Sequence, residues 1–338
     1  MGKVLVVRFS AMGDVILTLP VIDALRERFP GARIDYAVKR EFAELVANHP
    51  GIARVWAFED KSGFKGLRAL TRELTAQRYD LVVDLHRNLR SGYVRWLGGA
   101  MMRRAYRKLS LPRILLTRTP LNFLRDAPPV SDRYFTALED FGIGREGRRP
   151  RLFLAAGAVA SAAAARDAGG LSEYLAVAPG ARHPTKQWPA ERFVEAAAGL
   201  AGPEWAAVVL GGGSDRAVAA AVSEGLRARG VRTLNLAGQL ALSDSAAMIA
   251  GARLVLTNDS GLMHVADALD VPLVAVFGPT SRELGFFPQG PRARVVEADL
   301  PCRPCTLHGQ ARCPKGHHRC MMEIAAAAVA DAAREVTK

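Results

Sequence analysis

Nowhere does the 338-residue chain contain an uninterrupted apolar run of the ~20 residues a membrane-spanning helix requires. Asp14, Arg26 and Arg28 punctuate the N-terminal stretch, and the alanine-rich tracts carry Arg and Asp. A signal peptide's long apolar core is lacking as well, because Lys3 opens a short strand-like run that ends at Arg8. The expectation is a cytoplasmic protein. Cysteine is scarce: all four lie between Cys302 and Cys320, which argues against structural disulfides. Acid is also in deficit, 33 Asp and Glu against 46 Lys and Arg, and the net charge of +13 attracts polyanions. Sign alone does not separate nucleic acid, anionic lipid and phosphorylated sugar. No nucleic-acid motif or aromatic stacking series accompanies the charge, so no nucleic-acid partner is expected.

What is present suits a globular protein: 49% apolar and 23% charged residues, over a length that favours two domains. Lys3 to Phe9 is a continuous apolar and β-branched run, the pattern of a buried parallel strand, followed by a helix-period stretch from Val15 to Phe29. Strand and helix patterns then alternate to Leu85, and again from Tyr174 to Phe277. Two doubly wound α/β domains with parallel sheets follow, with ligands expected at the carboxyl ends of strands. The Ala/Gly/Ser tract from Ala155 to Gly170 reads as an exposed helix or a linker. Boundaries are therefore expected at 1–160 and 161–320, with a helix in 321–338 packing back on the first domain. Arginines are dense between Arg87 and Arg125, either as a solvated face or as an anion-binding surface.

Four loops carry candidate chemistry. The turn Ser10-Ala11-Met12-Gly13-Asp14 delivers a carboxylate to a helix start at the end of the first strand. It lacks G-x-G-x-x-G and is no P-loop, so it is a poor dinucleotide site, and Asp14 either charges the helix start or does chemistry. The loop from Pro179 through Gly180, Ala181, Arg182 and His183 to Pro189 places Lys186 near a helix entrance, where a cation either meets a phosphate or sits beside a half-buried Trp188. In Thr257-Asn258-Asp259-Ser260-Gly261, leading into Leu262, Met263 and His264, a helix start offers free N–H groups to a diphosphate, and Gly261 permits close approach. The alternative there is a plain Ser or Asp cap with His264 in the core. After the strand pattern from Ala206 to Leu210, Gly211-Gly212-Gly213-Ser214-Asp215 presents a carboxylate able to accept from a ribose hydroxyl.

Cys302-x-x-Cys305, Cys313 and Cys320 are interleaved with His308, His317 and His318. They read either as a structural zinc site or as a loop of reduced thiols, with no catalytic task.

Taken together, these segments resemble glycosyltransferase family 9, the heptosyltransferases. The matching stretches are Val7 to Val15, Tyr79 to Leu85 with Asn88 to Ser91, Pro179 to Pro189, and Asn258 to His264, in the family's order over nearly the whole chain. The cysteine segment resembles that of heptosyltransferase II. The resemblance implies a GT-B fold, two doubly wound domains facing a cleft, the first taking the acceptor and the second the nucleotide sugar. It further implies an inverting transfer from an ADP-sugar to the lipid A-core oligosaccharide at the cytoplasmic surface of the inner membrane, with no cofactor required for catalysis. Asp14 would be the general base, and Lys186 would meet the donor diphosphate. Gly180, Ala181, Arg182, Asp215, Asp259, Ser260, Gly261, Leu262 and His264 would bind the donor, while Arg87, Arg90 and Arg103 would attract the acceptor. Arg182 and His183 stand where some members carry paired threonines, which leaves donor identity open. A transferase using another nucleotide sugar and a nucleotide-sugar epimerase are the alternatives on the same fold.

Overall fold

The computed structural model describes residues 1–119, 121–200 and 205–338. In chain order its elements are β1 (Lys3–Val7), α1 (Met12–Leu17), α2 (Leu19–Arg28), β2 (Arg33–Lys39), α3 (Glu44–Ala47), β3 (Arg54–Phe58), α4 (Gly63–Ala76), β4 (Leu81–Asp84), α5 (Leu89–Leu97), β5 (Met102–Ala105), α6 (Ser110–Arg118) and α7 (Val130–Tyr134). Then follow α8 (Ala156–Ala168), β6 (Glu173–Ala178), α9 (Ala190–Ala198), β7 (Trp205–Val209), α10 (Arg216–Ala228), β8 (Thr233–Asn235), α11 (Leu242–Ala250), β9 (Leu254–Asn258), α12 (Gly261–Ala268), β10 (Leu273–Phe277), β11 (Ala293–Glu297), α13 (Arg319–Met322) and α14 (Ala326–Thr337). They form two compact units, 1–109 with 128–153, and 110–127 with 154–338.

The first unit holds a parallel sheet in the order β3-β2-β1-β4-β5. Its central strand β1 is fully buried from Val4 to Val7, as its unbroken apolar sequence requires of a strand covered on both faces. Strand order reverses between β1 and β4, and a crevice at the carboxyl ends is the place where such sheets bind ligands. The helix read from Val15 to Phe29 is two helices, α1 and α2, meeting at Thr18 ahead of Pro20. Proline has no N–H to continue the first helix and is well placed in the first turn of the second.

The second unit has the order β11-β10-β9-β6-β7-β8, again all parallel, with its reversal between β6 and β9. Two sequence expectations are corrected here. The division falls after Phe153 rather than at 160, because the alanine tract is the regular helix α8, which buries Ala158 and Ala162 and packs on α11. The terminal helix belongs to the second unit. α14 packs on α9, β10 and β11, and its Val329, Ala333 and Val336 enter the same core as Trp188 and Phe193. Met321 and Ile324 anchor the approach in that core, and Trp188 Nε1 donates to the Ile324 carbonyl at 3.2 Å, so the chain is already committed to this unit before α14 begins.

Candidate active site

At the first unit's switch point, β1 ends and Arg8 follows, buried, with one guanidinium nitrogen donating to the Leu85 carbonyl. Another nitrogen of Arg8 lies 2.6 Å from Asp14 Oδ1. The Tyr134 hydroxyl donates to the same oxygen at 2.9 Å, and the Ala11 N–H approaches Oδ2 at 3.5 Å. Burial alone would raise the Asp14 pKa, but the Arg8 charge, then the Tyr134 and Ala11 hydrogen bonds, override it and hold the carboxyl below its ordinary value. Burial likewise opposes the Arg8 charge, and Asp14 together with Tyr134, Tyr106 and Tyr36 outweighs it, so the Arg8 pKa is raised. The neighbouring His86 accepts from the Phe9 N–H through Nδ1 at 3.1 Å; burial, then Arg8, pushes its pKa down to about 3, and the ring is neutral. Asp14 is thus an oriented carboxylate whose charged form is favoured, with one oxygen engaged by both Arg8 and Tyr134. Its other oxygen, Oδ2, is approached by the Ala11 N–H alone among these contacts and can accept from a further hydroxyl.

Asp84, buried at the end of β4, accepts from the His86 and Arg87 N–H groups at 3.0 and 2.8 Å and fixes the turn in which Arg87 takes a positive φ of 53°. Arg87 and Arg90 therefore stand beyond the carboxyl end of the strand next to β1, with Arg87 donating to the Tyr106 carbonyl and Arg90 paired with Asp60. Arg103 lies inside the edge strand β5 opposite Val82, donating to the Arg95 carbonyl, and the structure does not bring it to this edge.

In the second unit both candidate loops flank the switch point, one after β6 and one after β9. Asn258, buried at the end of β9, clamps the first loop at two points: its Nδ2 donates to the Pro179 carbonyl at 2.7 Å and its Oδ1 accepts from the Trp188 N–H at 3.1 Å. Lys186, held between those points, lies 2.6 Å from Asp259 Oδ2, which also accepts from the Thr280 hydroxyl at 2.7 Å. Asp259 is 6% exposed, so its charge is set to orient the lysine more than to meet solvent. Ser260 occupies the cap position of α12 but makes no capping bond; its hydroxyl instead lies 3.1 Å from that of Thr257. The first-turn N–H groups beyond Gly261 are thereby left without a side-chain cap, the arrangement that suits an anion. Leu262 is half-buried in that turn, and His264 is buried one turn on.

Gly180 and Asp215, singled out separately in the sequence, are adjacent: a Cβ on Gly180 would collide with the Asp215 carboxylate, which accepts from the Gly212 N–H at 2.8 Å. Ala181 is buried and its carbonyl accepts from Gln187, whereas Arg182 is exposed. Burial, with the charges of Lys186 and Arg182, keeps the His183 pKa below its ordinary value.

The cysteine segment lies against the lysine loop. Thr185 N–H and hydroxyl both reach the Gln310 carbonyl, at 3.2 and 2.9 Å, the Gln310 N–H returns to the Thr185 hydroxyl at 2.8 Å, and His318 Nε2 meets the Thr185 carbonyl at 2.9 Å. All four thiols are free, and Cys305, Cys313, Cys320 and His318 line a small cavity together with Thr185. Burial raises the Cys305 pKa and pushes Cys320 up to about 11, both helped by neighbouring thiols. At Cys313 burial also acts upward, but backbone N–H groups of residues 315–318 outweigh it and lower the pKa. Among the described residues no three His, Cys, Asp or Glu side chains are grouped so as to hold a metal ion, so the zinc expectation acquires no ligand set here.

Sequence reasoning named Asp14, Lys186, Asp215 and Asp259 but missed Tyr134, His86, Thr280 and Gln310. Arg8 had one signal, a charge closing an otherwise apolar buried strand. The others reach the site from segments distant in sequence and had none.

Two doubly wound parallel sheets, each with its candidate residues at the switch point, are those of the GT-B fold. The chain belongs to glycosyltransferase family 9 (heptosyltransferase), whose family model matches residues 67–314. It is 30% identical to lipopolysaccharide heptosyltransferase 1 of Pseudomonas aeruginosa over 90% of this chain and 86% of that one. Identity to lipopolysaccharide heptosyltransferase 2 of Escherichia coli is 26%, over 95% and 94%. The solved ADP-heptose lipopolysaccharide heptosyltransferase II of E. coli superposes with a TM-score of 0.77 at 25% identity, covering 99% of this chain and 98% of that one. A family 9 glycosyltransferase from Veillonella parvula shares the fold with a TM-score of 0.85 at 24% identity, over 99% and 97%.

Proposed function

We propose that this glycosyltransferase moves heptose from ADP-heptose onto the inner core of lipopolysaccharide at the cytoplasmic face of the inner membrane, without a catalytic metal. The observation that carries the reading is Asp14, held ionised and oriented at the switch point by Arg8 and Tyr134 in a chain whose relatives are lipopolysaccharide heptosyltransferases. In the first unit, Asp14 accepts the acceptor hydroxyl proton as that oxygen attacks the anomeric carbon. In the second, Lys186 and the uncapped start of α12 stabilise the negative charge that develops on the leaving diphosphate. Asp259 orients Lys186, and Asp215 accepts from a ribose hydroxyl. Attack by the acceptor oxygen breaks the bond to the diphosphate directly, so the anomeric centre inverts and no covalent enzyme intermediate forms.

The test is incubation of the purified protein with ADP-heptose and either a Kdo-bearing or a monoheptosylated core acceptor, with chelator present and no added metal, followed by acceptor mass spectrometry. A heptose-sized gain on the monoheptosylated acceptor alone supports second-heptose transfer, and a gain on the Kdo acceptor alone supports first-heptose transfer. No gain on either by folded protein overturns heptose as the sugar, and loss of the gain on chelation overturns metal independence.

A further inference from the structure

The first unit carries an apolar surface that its own fold leaves uncovered. On α5, Leu89, Tyr93, Trp96 and Leu97 recur at i, i+4, i+7 and i+8 and share one helix face, while Ser91 and Val94 on the opposite side are buried. Leu89 is 94% exposed, Trp96 62% and Leu97 55%; Met101, just beyond the helix, is 81% exposed. The adjoining α4 turns Phe64, Arg68 and Arg72 outward at i, i+4 and i+8, and the Phe64 and Tyr93 rings meet edge to face at 5.2 Å, joining the two faces. The guanidinium groups of Arg95 and Arg103 each lie 5.5 Å from the Trp96 ring centre. Lys61 and Lys65 are exposed beside them, against the acids Asp60 and Glu73.

We propose that this α4–α5 face is a docking surface for an anionic lipid bilayer, with Phe64, Trp96, Leu97 and Met101 entering the interface and Arg68 and Arg72 meeting lipid phosphates. Charge complementarity selects the occupant. Aromatic rings flanked by arginines are the composition that settles at headgroup depth, and basic residues near an anionic surface each strengthen binding about five-fold. A second copy of the chain would set these arginines against their own symmetry mates in a two-fold contact, which like charges oppose. The surface draws its biological setting from the proposed lipid-linked acceptor, yet vesicle binding is measured with neither donor nor acceptor, so the two readings fail separately.

The full-length protein is sedimented with phosphatidylglycerol-containing vesicles and with pure phosphatidylcholine vesicles, and tryptophan emission is followed with brominated acyl chains in the anionic set. Trp56 and Trp188 are buried and Trp205 is half-buried in the second unit, so it is the quenching that disappears in Trp96→Phe that reports insertion of this face. Binding to the anionic vesicles, quenching through Trp96, and a loss of binding of more than about ten-fold in Arg68→Glu/Arg72→Glu are expected, with turnover of a soluble acceptor fragment unchanged. Equal binding to both vesicle types, or anionic binding that neither quenches Trp96 nor responds to the arginine reversals, overturns the proposal. So does a dimer mass in solution that falls to the monomer in Trp96→Ser/Met101→Ser, which would assign the face to self-association.

Discussion

Asp14 combines two properties that ordinarily conflict, partial withdrawal from water and a stable negative charge, and the resolution is that Arg8 and Tyr134 supply what water would have supplied. Its folded pKa is depressed, so the stability it contributes is present above the unfolded carboxyl value near ~3.9 and is lost as pH falls through the folded value. If Asp14 is the proposed general base, the same sign governs catalysis, because the carboxylate is the form that prevails above its folded pKa. Asp14→Asn should lower kcat by about 10²- to 10⁴-fold while calorimetric affinity for the donor stays unchanged. Tyr134→Phe removes one donor to the carboxylate, and the acid limb of kcat/KM should move to higher pH; a limb that does not move would detach Tyr134 from the base. Lys186 presents the opposite difficulty, because it is both a candidate ligand for diphosphate and the partner of a nearly buried carboxylate. Lys186→Ala should cost about 3–5 kcal/mol in unfolding free energy by stranding Asp259. Lys186→Met/Asp259→Asn should recover most of that loss in a denaturant titration without recovering donor affinity, which separates the structural ion pair from the phosphate contact.

At the scale of elements, the site is made where loops from different strands press on one another. Gly309 has φ +92°, and a Cβ there would stand 2.7 Å from His183 Cβ and 3.1 Å from Lys186 Cγ, so the cysteine segment closes down on the very side chain expected to meet the donor. Gly309→Ala should destabilise by about 1–2 kcal/mol for its left-handed backbone and raise the donor KM on the order of ten-fold by shifting Lys186, read from melting and steady-state kinetics. An unchanged KM would show that the segment is only a cover. The elements themselves were largely legible where strands are central: β1, β4, β6, β9 and β10 are apolar runs because helices cover both of their faces. The edge strands β5 and β11 escaped notice, since Arg103, Arg104 and Arg294 interrupt them and an edge strand need not be buried throughout. The helix α5 was missed for a related reason, its outward face being as apolar as its inward one. In the site, the loops were readable because a polar cluster after a buried strand marks the carboxyl end of a sheet. The Gly180–Asp215 pairing, between loops after the neighbouring strands β6 and β7, and the Lys186–Asp259 pairing, across the switch point between β6 and β9, were not readable, because both depend on strand order, which local pattern does not encode.

Over the whole molecule, the charge of +13 acts at a range no single contact reaches. Arg87 and Arg90 at the carboxyl edge of the first sheet are already engaged by the Tyr106 carbonyl and by Asp60, so their value to a phosphorylated acceptor lies as much in the field they add as in any new bond. Such a field is screened over ~30 Å at 0.01 M salt but over only ~10 Å at 0.1 M. If the acceptor is gathered by this field, kcat/KM for a phosphorylated core oligosaccharide should fall about ten-fold across that range. The value of kcat at saturation should hold, because the Arg8 and Tyr134 contacts to the proposed base Asp14 are far shorter than the screening length. Arg87→Gln should lower the low-salt value and flatten the salt dependence without altering kcat. A dephosphorylated acceptor should show a flat profile with the unmodified enzyme. Were the phosphorylated and dephosphorylated acceptors to respond to salt alike, the field would be acting on the donor diphosphate, and the arginines between Arg87 and Arg125 would be left to the bilayer rather than to the sugar.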